Sequence, residues 1–388
     1  MQDTLLYTPG PVTIPTRIIR AMDLPALHHR TSTFSSILCE TLKNLGKIFG
    51  TDRPILPIHA TGRGAMEASF VNIFTPGTHV VSIANGRFGK MFGEIGAMAG
   101  LSVQEISTDW EHDLDLEELD RALSKDPEVK AVTVVQCETS MGTCNPIREI
   151  AEIARRHGCL VLVDAVSSLG GMEFLFDKWD VDLCLTASQK GLMAPTGLSF
   201  VVLGDRARAL LDRPGACNGY FSFSNILKSL DAKMPETPGS TPVSLMAGVC
   251  EGTRMILEQG LDTLYSHRAA IASGIRSACS AMGCAICPPD AGTRSSTVSC
   301  IAPPLGVECA DLEKRLKDRF GIEIAGGLGP YKKKFVRIGH MGSFDVRDAL
   351  LLIPAIGVVL EELTSSKGIA EKGIGAMVAS MGNSLTLR

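Results

Sequence analysis

Over the first 260 residues, short apolar runs rich in β-branched residues alternate with stretches of helical periodicity. This alternation restricts the fold more than any other feature of the chain. The apolar runs cover 79–84, 101–106, 129–136, 159–163, 183–187 and 198–203. Between them lie segments such as Ile147-Arg148-Glu149-Ile150-Ala151-Glu152-Ile153-Ala154, whose isoleucines recur at helical spacing. Asn145 is expected as the N-cap of that helix, Pro146 as its first residue, and Gly158 just past its end. Such alternation predicts an α/β fold, a mostly parallel sheet with helices on both faces.

After residue 260 the pattern changes. A long helix is expected over 264–282, a strand over 298–302, a helix over 311–320, short strands over 322–324 and 335–338, and a helix over 349–362. This reads as a smaller α+β domain. Gly373-Ile374-Gly375 and the last dozen residues read as a loosely held tail, and no internal repeat is visible. The expected division is an N-terminal segment at 1–14, associated with the small domain or a dimer partner, a large domain at 15–262, and a small domain at 263–388.

Composition narrows the function. A net charge of −4 with 21% charged residues lacks the basic surface of a nucleic-acid binder. No apolar run is long enough to span a bilayer. The first seven residues lack the basic-then-apolar pattern of a secretory signal, so a cytoplasmic enzyme is expected. Twelve cysteines scatter through strand-like and helical runs and read as buried reduced thiols. Cys284-Ala285-Ile286-Cys287 has CxxC spacing without a second pair, and reads as a strand entering the small domain. No metal is expected.

Lys190 carries the chemical argument. It follows the run Leu183-Cys184-Leu185-Thr186-Ala187 and lies in Ser188-Gln189-Lys190-Gly191, ahead of Ala194-Pro195-Thr196-Gly197. A lysine at a buried strand end, fenced by small residues, loses hydration; its pKa falls and its amine becomes a usable nucleophile. The preceding run ends in Asp164. A buried carboxylate needs a partner or it neutralises. Neighbouring parallel strands delivering a carboxylate and a lysine suit pyridoxal 5'-phosphate, which needs an anion at its pyridinium nitrogen and an amine for its aldehyde.

Further motifs occur around this pair. His59-Ala60-Thr61-Gly62-Arg63-Gly64 is a turn opening a helix, whose unpaired N–H groups and dipole favour a phosphate. Ala84-Asn85-Gly86-Arg87-Phe88-Gly89 follows a strand; Glu138-Thr139-Ser140-Met141-Gly142 and Val163-Asp164-Ala165-Val166 follow two more. Thr237-Pro238-Gly239-Ser240-Thr241-Pro242, Glu323-Ile324-Ala325-Gly326 and Arg337-Ile338-Gly339-His340-Met341-Gly342 come later.

In this order, from Tyr7-Thr8-Pro9-Gly10-Pro11 to Gly342, the motifs resemble the class V aminotransferases, close to the alanine–glyoxylate and serine–glyoxylate enzymes. The resemblance implies the fold-type I architecture, with a seven-stranded, mostly parallel sheet in the large domain. It implies that Thr61, Gly62, Arg63 and Gln189 contact the cofactor phosphate, and that Phe88 stacks on the pyridine with Val166 on the opposite face. Thr139 is then near the phenolic oxygen, Asp164 at the pyridinium nitrogen, and Lys190 on the aldehyde. Arg63 stands where the family has histidine or threonine; its backbone N–H serves equally, and its side chain has no assigned role.

By the same resemblance, Arg337 forks onto the substrate α-carboxylate, a bidentate geometry that lysine cannot reproduce. Ser240 or Thr241 reaches the phosphate of a neighbouring subunit, which implies a homodimer with shared active sites. His28-His29-Arg30-Thr31 resembles an element at the active-site mouth, with the roles of His28 and His29 left open.

The implied activity is ping-pong transamination from a small amino acid, alanine or serine, to a 2-oxo acid, glyoxylate or pyruvate. Lys190 is general base and then general acid. Cysteine desulfurases differ by a histidine stacked on the ring and a His-Lys pair where this chain has Phe88 and Gln189-Lys190. Pyridoxamine–pyruvate aminotransferases share the Arg-Ile-Gly-His-Met-Gly stretch, but carry a glutamate at the position of Thr61 and a second arginine at that of Leu328. Ureidoglycine–glyoxylate and aminoethylphosphonate aminotransferases are further alternatives, although Arg337 favours a carboxylate-bearing substrate. Outside the family, a dehydrogenase is disfavoured because no GxGxxG follows the first strand. A binding protein would have no use for Lys190 and Asp164 on strand ends.

Overall fold

The computed structural model describes residues 4–108, 112–213 and 217–382. Seven strands form the central sheet: β1 (Ile55–Ile58), β2 (His79–Ile83), β3 (Ser102–Ile106), β4 (Val129–Val135), β5 (Leu160–Asp164), β6 (Leu183–Ala187) and β7 (Ser199–Leu203). Their spatial order is β1-β7-β6-β5-β4-β2-β3. Only β7 runs antiparallel to its neighbours; the other pairings are parallel. Every residue of β5, β6 and β7 is buried, as expected of strands covered on both faces.

The period of two divides each strand between two cores. Val161, Val163, Cys184 and Val202 face one, packed against Phe34, Leu38 and Phe49 of the helix Ser32–Phe49. Leu160, Leu162, Leu183, Leu185 and Val201 face the other, packed against Met66 and Phe70 of the helix Gly62–Ile73. At about 25 cal/mol per Å² of apolar surface, burial of this kind is the main force holding the layers together.

The C-terminal α+β part has its own sheet, β8 (Ala285–Cys287), β9 (Val298–Ala302), β10 (Ala325–Gly326) and β11 (Val336–Gly339), in the order β8-β9-β11-β10. Its separate core includes Ile275, Leu312, Ile338 and Ile356. Leu5–Leu6 adds a short parallel ladder to Ile322–Glu323. From there Tyr7 accepts a bond from the Gly339 N–H at 2.7 Å and the chain crosses toward the large domain.

Two expectations need correction. The helix Ile147–Arg156 has Pro146, not Asn145, at its N-cap. The Asn145 side chain is spent on tertiary ties instead, donating to the Val135 carbonyl at 2.7 Å and accepting from Asn85 at 2.7 Å. The C-terminal stretch is not loose through residue 382: Ile369–Met381 is a helix lying on Leu261–Ala281 and Val346–Thr364. Its glycines permit close approach. A Cβ on Gly373 would lie 2.8 Å from Met282 Sδ, and one on Gly274 would lie 2.6 Å from Met381 Cγ. The remainder of the expected tail lies outside the described residues.

None of the twelve cysteines forms a disulfide. Among the described residues no group of histidines, cysteines and carboxylates is arranged to hold a metal, and no helix is long and apolar enough to cross a membrane.

Candidate active site

Because β5 and β6 are parallel neighbours, their carboxyl ends deliver Asp164 and Lys190 to the same edge of the sheet, where open α/β sheets bind ligands. A cavity of about 320 Å³ opens there, a small-molecule volume. Its lining includes Thr61, Gly62, Arg63, Phe88, Asp164, Val166, Gln189 and Lys190, eight positions singled out from the sequence.

The electrostatics are those of an incomplete site. Asp164 is buried, and one of its oxygens accepts the Val166 N–H at 2.7 Å. Burial pushes its pKa up to about 7, with Glu138 adding to the rise, while the Val166 N–H and Lys190 oppose it. Burial also brings Lys190 down to about 8; Arg337 pushes the same way, and Cys137, Asp164 and Glu138 resist. The Lys190 ammonium donates to the Pro9 carbonyl. Gly10, at φ +118°, passes so close that a Cβ would meet Lys190 Nζ at 2.6 Å, so glycine is needed there for both its conformation and its size.

Neighbouring elements set the rest of the lining. The helix Gly62–Ile73 starts here with no side-chain cap, leaving its first N–H groups facing the turn at Thr61. A Cβ on Gly62 would collide with Val166 at 2.8 Å. Gln189 Oε1 is buried and has no partner among the described residues. Phe88 is fixed through its backbone: Glu138 Oε2 accepts the N–H groups of Phe88 and Gly89, both at 2.9 Å. Such a cavity can take a flat ring beside Phe88 and Val166, an anion at the helix start and a cationic N–H at Asp164.

Four expected residues do not line it. Thr139 is buried, and its carbonyl accepts Arg337 Nη1 at 3.3 Å. Arg337 also donates from Nε to the Gly326 carbonyl at 2.7 Å, leaving Nη2 without a partner among the described residues. Ser240 is exposed, and Thr241 contacts Thr237 and His59 of the same chain.

The family model for class-V aminotransferases matches residues 18–337. The chain belongs to the class-V aminotransferase family. It is 31% identical to the serine–glyoxylate aminotransferase of Methylorubrum extorquens over 97% of this chain and 94% of that one. Among solved structures, the ureidoglycine–glyoxylate aminotransferase of Bacillus subtilis superposes with a TM-score of 0.90 at 28% identity, over 98% of both chains. The pyridoxamine–pyruvate aminotransferase of Mesorhizobium loti gives 0.91 at 26% identity, again over 98% of both. The fold is therefore fold-type I, and the protein is an aminotransferase.

In this class-V aminotransferase the cavity also includes Gly10, Pro11, Met66, Met91, Cys137 and Thr196, for which the motifs had suggested no role. Gly10 and Pro11 stood at the head of the matching motifs and carried a signal; nothing in the spacing of Met66, Met91 or Cys137 distinguished them from core residues.

Proposed function

We propose that this aminotransferase holds pyridoxal 5'-phosphate in the cavity at Lys190 and moves an amino group from alanine or serine to glyoxylate or pyruvate. The observation that supports it most is the pairing in one cavity of a buried, under-bonded carboxylate with a lysine amine of depressed pKa. The residues fit the group: Asp164 lacks the cationic N–H partner that its burial demands, Gln189 keeps a buried polar atom unmatched, and the helix start at Gly62 is uncapped. When bound, pyridoxal phosphate supplies an aldehyde that condenses with amines and a ring that withdraws electrons from the substrate α-carbon.

The chain's own groups do the remaining work. Asp164 keeps a proton on the ring nitrogen by offering it a carboxylate. Thr61, Gly62, Arg63 and Gln189 receive the phosphate, and Phe88 and Val166 hold the ring faces. Lys190 Nζ, poised near neutrality, accepts the α-proton and returns it. Arg337 Nη2 would receive the substrate carboxylate, and the second hydrogen of Nη1 completes a two-pronged grip beside its bond to Thr139. Thr139, just outside the cavity lining, would be the residue nearest the cofactor's phenolic oxygen.

Ser240 or Thr241 serves a partner's phosphate in a homodimer. Their place outside the cavity of their own chain supports this, as do Ile19 and Tyr220, 54% and 73% exposed.

The test is spectroscopic and kinetic. Wild-type protein should bind pyridoxal phosphate with a visible band that borohydride bleaches, leaving the label on the Lys190 peptide, and should turn over alanine or serine with glyoxylate. Lys190→Ala should lose both. A yellow, active Lys190→Ala protein overturns the proposal, and so does a colourless wild type that transaminates only free pyridoxamine.

A further inference from the structure

A second cleft, of about 880 Å³, opens on the C-terminal part, bounded by the helix Leu261–Ala281 and the loop around 289–294. It shares no lining residue with the active-site cavity. The charged groups lining it, among the described residues, are two arginines, Arg276 and Arg294. Both guanidiniums are held by the backbone. Arg276 Nη1 donates to the Ser295 carbonyl at 2.9 Å, and Arg294 donates from Nε and Nη2 to the carbonyls of Pro288 and Pro289, both at 2.8 Å.

Neither arginine meets a carboxylate among the described residues. The acid of the loop, Asp290, is exposed and caps the following turn, where it accepts the Gly292 N–H at 2.8 Å. Burial brings the Arg276 pKa down to about 10 and the neighbouring Arg294 adds to the fall, so Arg276 stays cationic at neutral pH beside a like charge. Two fixed cations without a counter-ion form an arrangement that a bound anion relieves.

The rest of the lining supplies donors. Positions 276, 277 and 280 fall on one face of the helix, and the Ser277 and Ser280 hydroxyls have no partner among the described residues. The guanidinium N–H groups not spent on these carbonyls, with two hydroxyls, still exceed what the two oxygens of one carboxylate can accept. They suit the several oxygens of a phosphate group. The volume leaves room for an organic portion beyond the phosphate.

We infer that this cleft binds a small phosphate-bearing molecule through Arg276 and Arg294, with Ser277 and Ser280 donating to the same group. Inorganic phosphate is its minimal form, and a phosphate monoester its larger one.

The experiment is calorimetric titration of the full-length protein with inorganic phosphate, with glycerol phosphate, and with succinate as a dicarboxylate control. Comparison of wild type with cleft variants isolates this site whether or not the other cavity holds a cofactor. Arg294→Gln should weaken phosphate binding at one site by about tenfold or more. Ser280→Asp, an exposed change that sets a carboxylate one turn from Arg276 and repels a bound phosphate, should do the same without lowering thermal stability. Tighter binding of glycerol phosphate than of phosphate would identify an ester as the ligand. Isotherms unchanged in both variants, or succinate bound as tightly as phosphate, would overturn the inference.

Discussion

Two aspartates are buried at opposite ends of the central sheet, and they have been treated very differently. Asp182 enters β6 at its amino end and is 2% exposed; Asp164 closes β5 at its carboxyl end and is 4% exposed. Asp182 accepts Arg206 Nε at 2.8 Å, Arg206 Nη2 at 2.5 Å and the Val161 N–H at 2.8 Å. Asp164 accepts a single bond among the described residues, from Val166. Lys190, which could have paired with it, donates to Pro9 instead. Burial raises the pKa of both carboxyls. At Asp182 the chain supplies the compensating charge; at Asp164 the compensation is left to something the chain does not contain. Equal burial thus separates a structural ion pair from a functional group by the completeness of its partners.

Removing each carboxylate tests that separation. Asp164→Asn should lower kcat/KM at least about a hundredfold, by removing the charge proposed to face the cofactor ring, while the cofactor-free protein unfolds no earlier than wild type. Asp182→Ala should do the reverse. It leaves Arg206 without its buried partner and should cost about 3–5 kcal/mol of stability, with kcat of the folded fraction unchanged. Steady-state kinetics beside urea denaturation reads both. An unfolded Asp164→Asn protein, or a fully stable but inactive Asp182→Ala protein, would break the comparison.

The same contrast has a pH signature in the cofactor-free protein. The folded pKa of Lys190, about 8, lies below its ordinary 10.5. Its contribution to stability is therefore intact above pH 10.5 and lost as the pH falls toward 8. Asp164, raised from 3.8 to about 7, contributes below pH 3.8 and loses that contribution as the pH rises through 7. Around neutrality both charges work against the fold. Lys190→Met should stabilise the cofactor-free protein at pH 7 by on the order of 2 kcal/mol. The gain should shrink between pH 8 and 10.5, as paired melting curves will show.

The site was legible where one strand register decided it. Asp164 and Lys190 end apolar runs, so the parallel pairing of β5 and β6 alone brings them together. Thr61 and Gly62 were legible because they open a helix just after a strand, whereas Phe88, in a similar turn, was legible only through the family resemblance. Contacts made across the domains were not legible. Gly10 bears on Lys190 only because residues 5–9 are first stitched to the C-terminal part, and Arg337 spends two nitrogens on carbonyls that no spacing predicts. The glycines of 373–375 misled for a related reason. A glycine that lets two helices touch and a glycine that loosens a tail look alike until the opposite surface is known.

Phe88 offers the smallest and most discriminating effect. Its place depends on a third buried carboxylate, Glu138, which accepts the N–H groups of Phe88, Gly89 and Ser140 and the Ser140 hydroxyl at 2.6–3.0 Å. Glu138, like Asp182, is satisfied by its own chain; its role is to hold the aromatic against the cavity. Phe88→Leu leaves that network untouched and keeps most of the apolar surface. What it loses is ring stacking, about 0.5–1.5 kcal/mol. At about 1.4 kcal/mol per factor of ten, kcat/KM should fall about two- to tenfold with the melting temperature unchanged. No change in kinetics would mean that the ring does not face the cofactor. A loss as large as that of Asp164→Asn would mean that a residue without a charge matters as much as one with it, and the completeness of polar partners would no longer mark where the chemistry is.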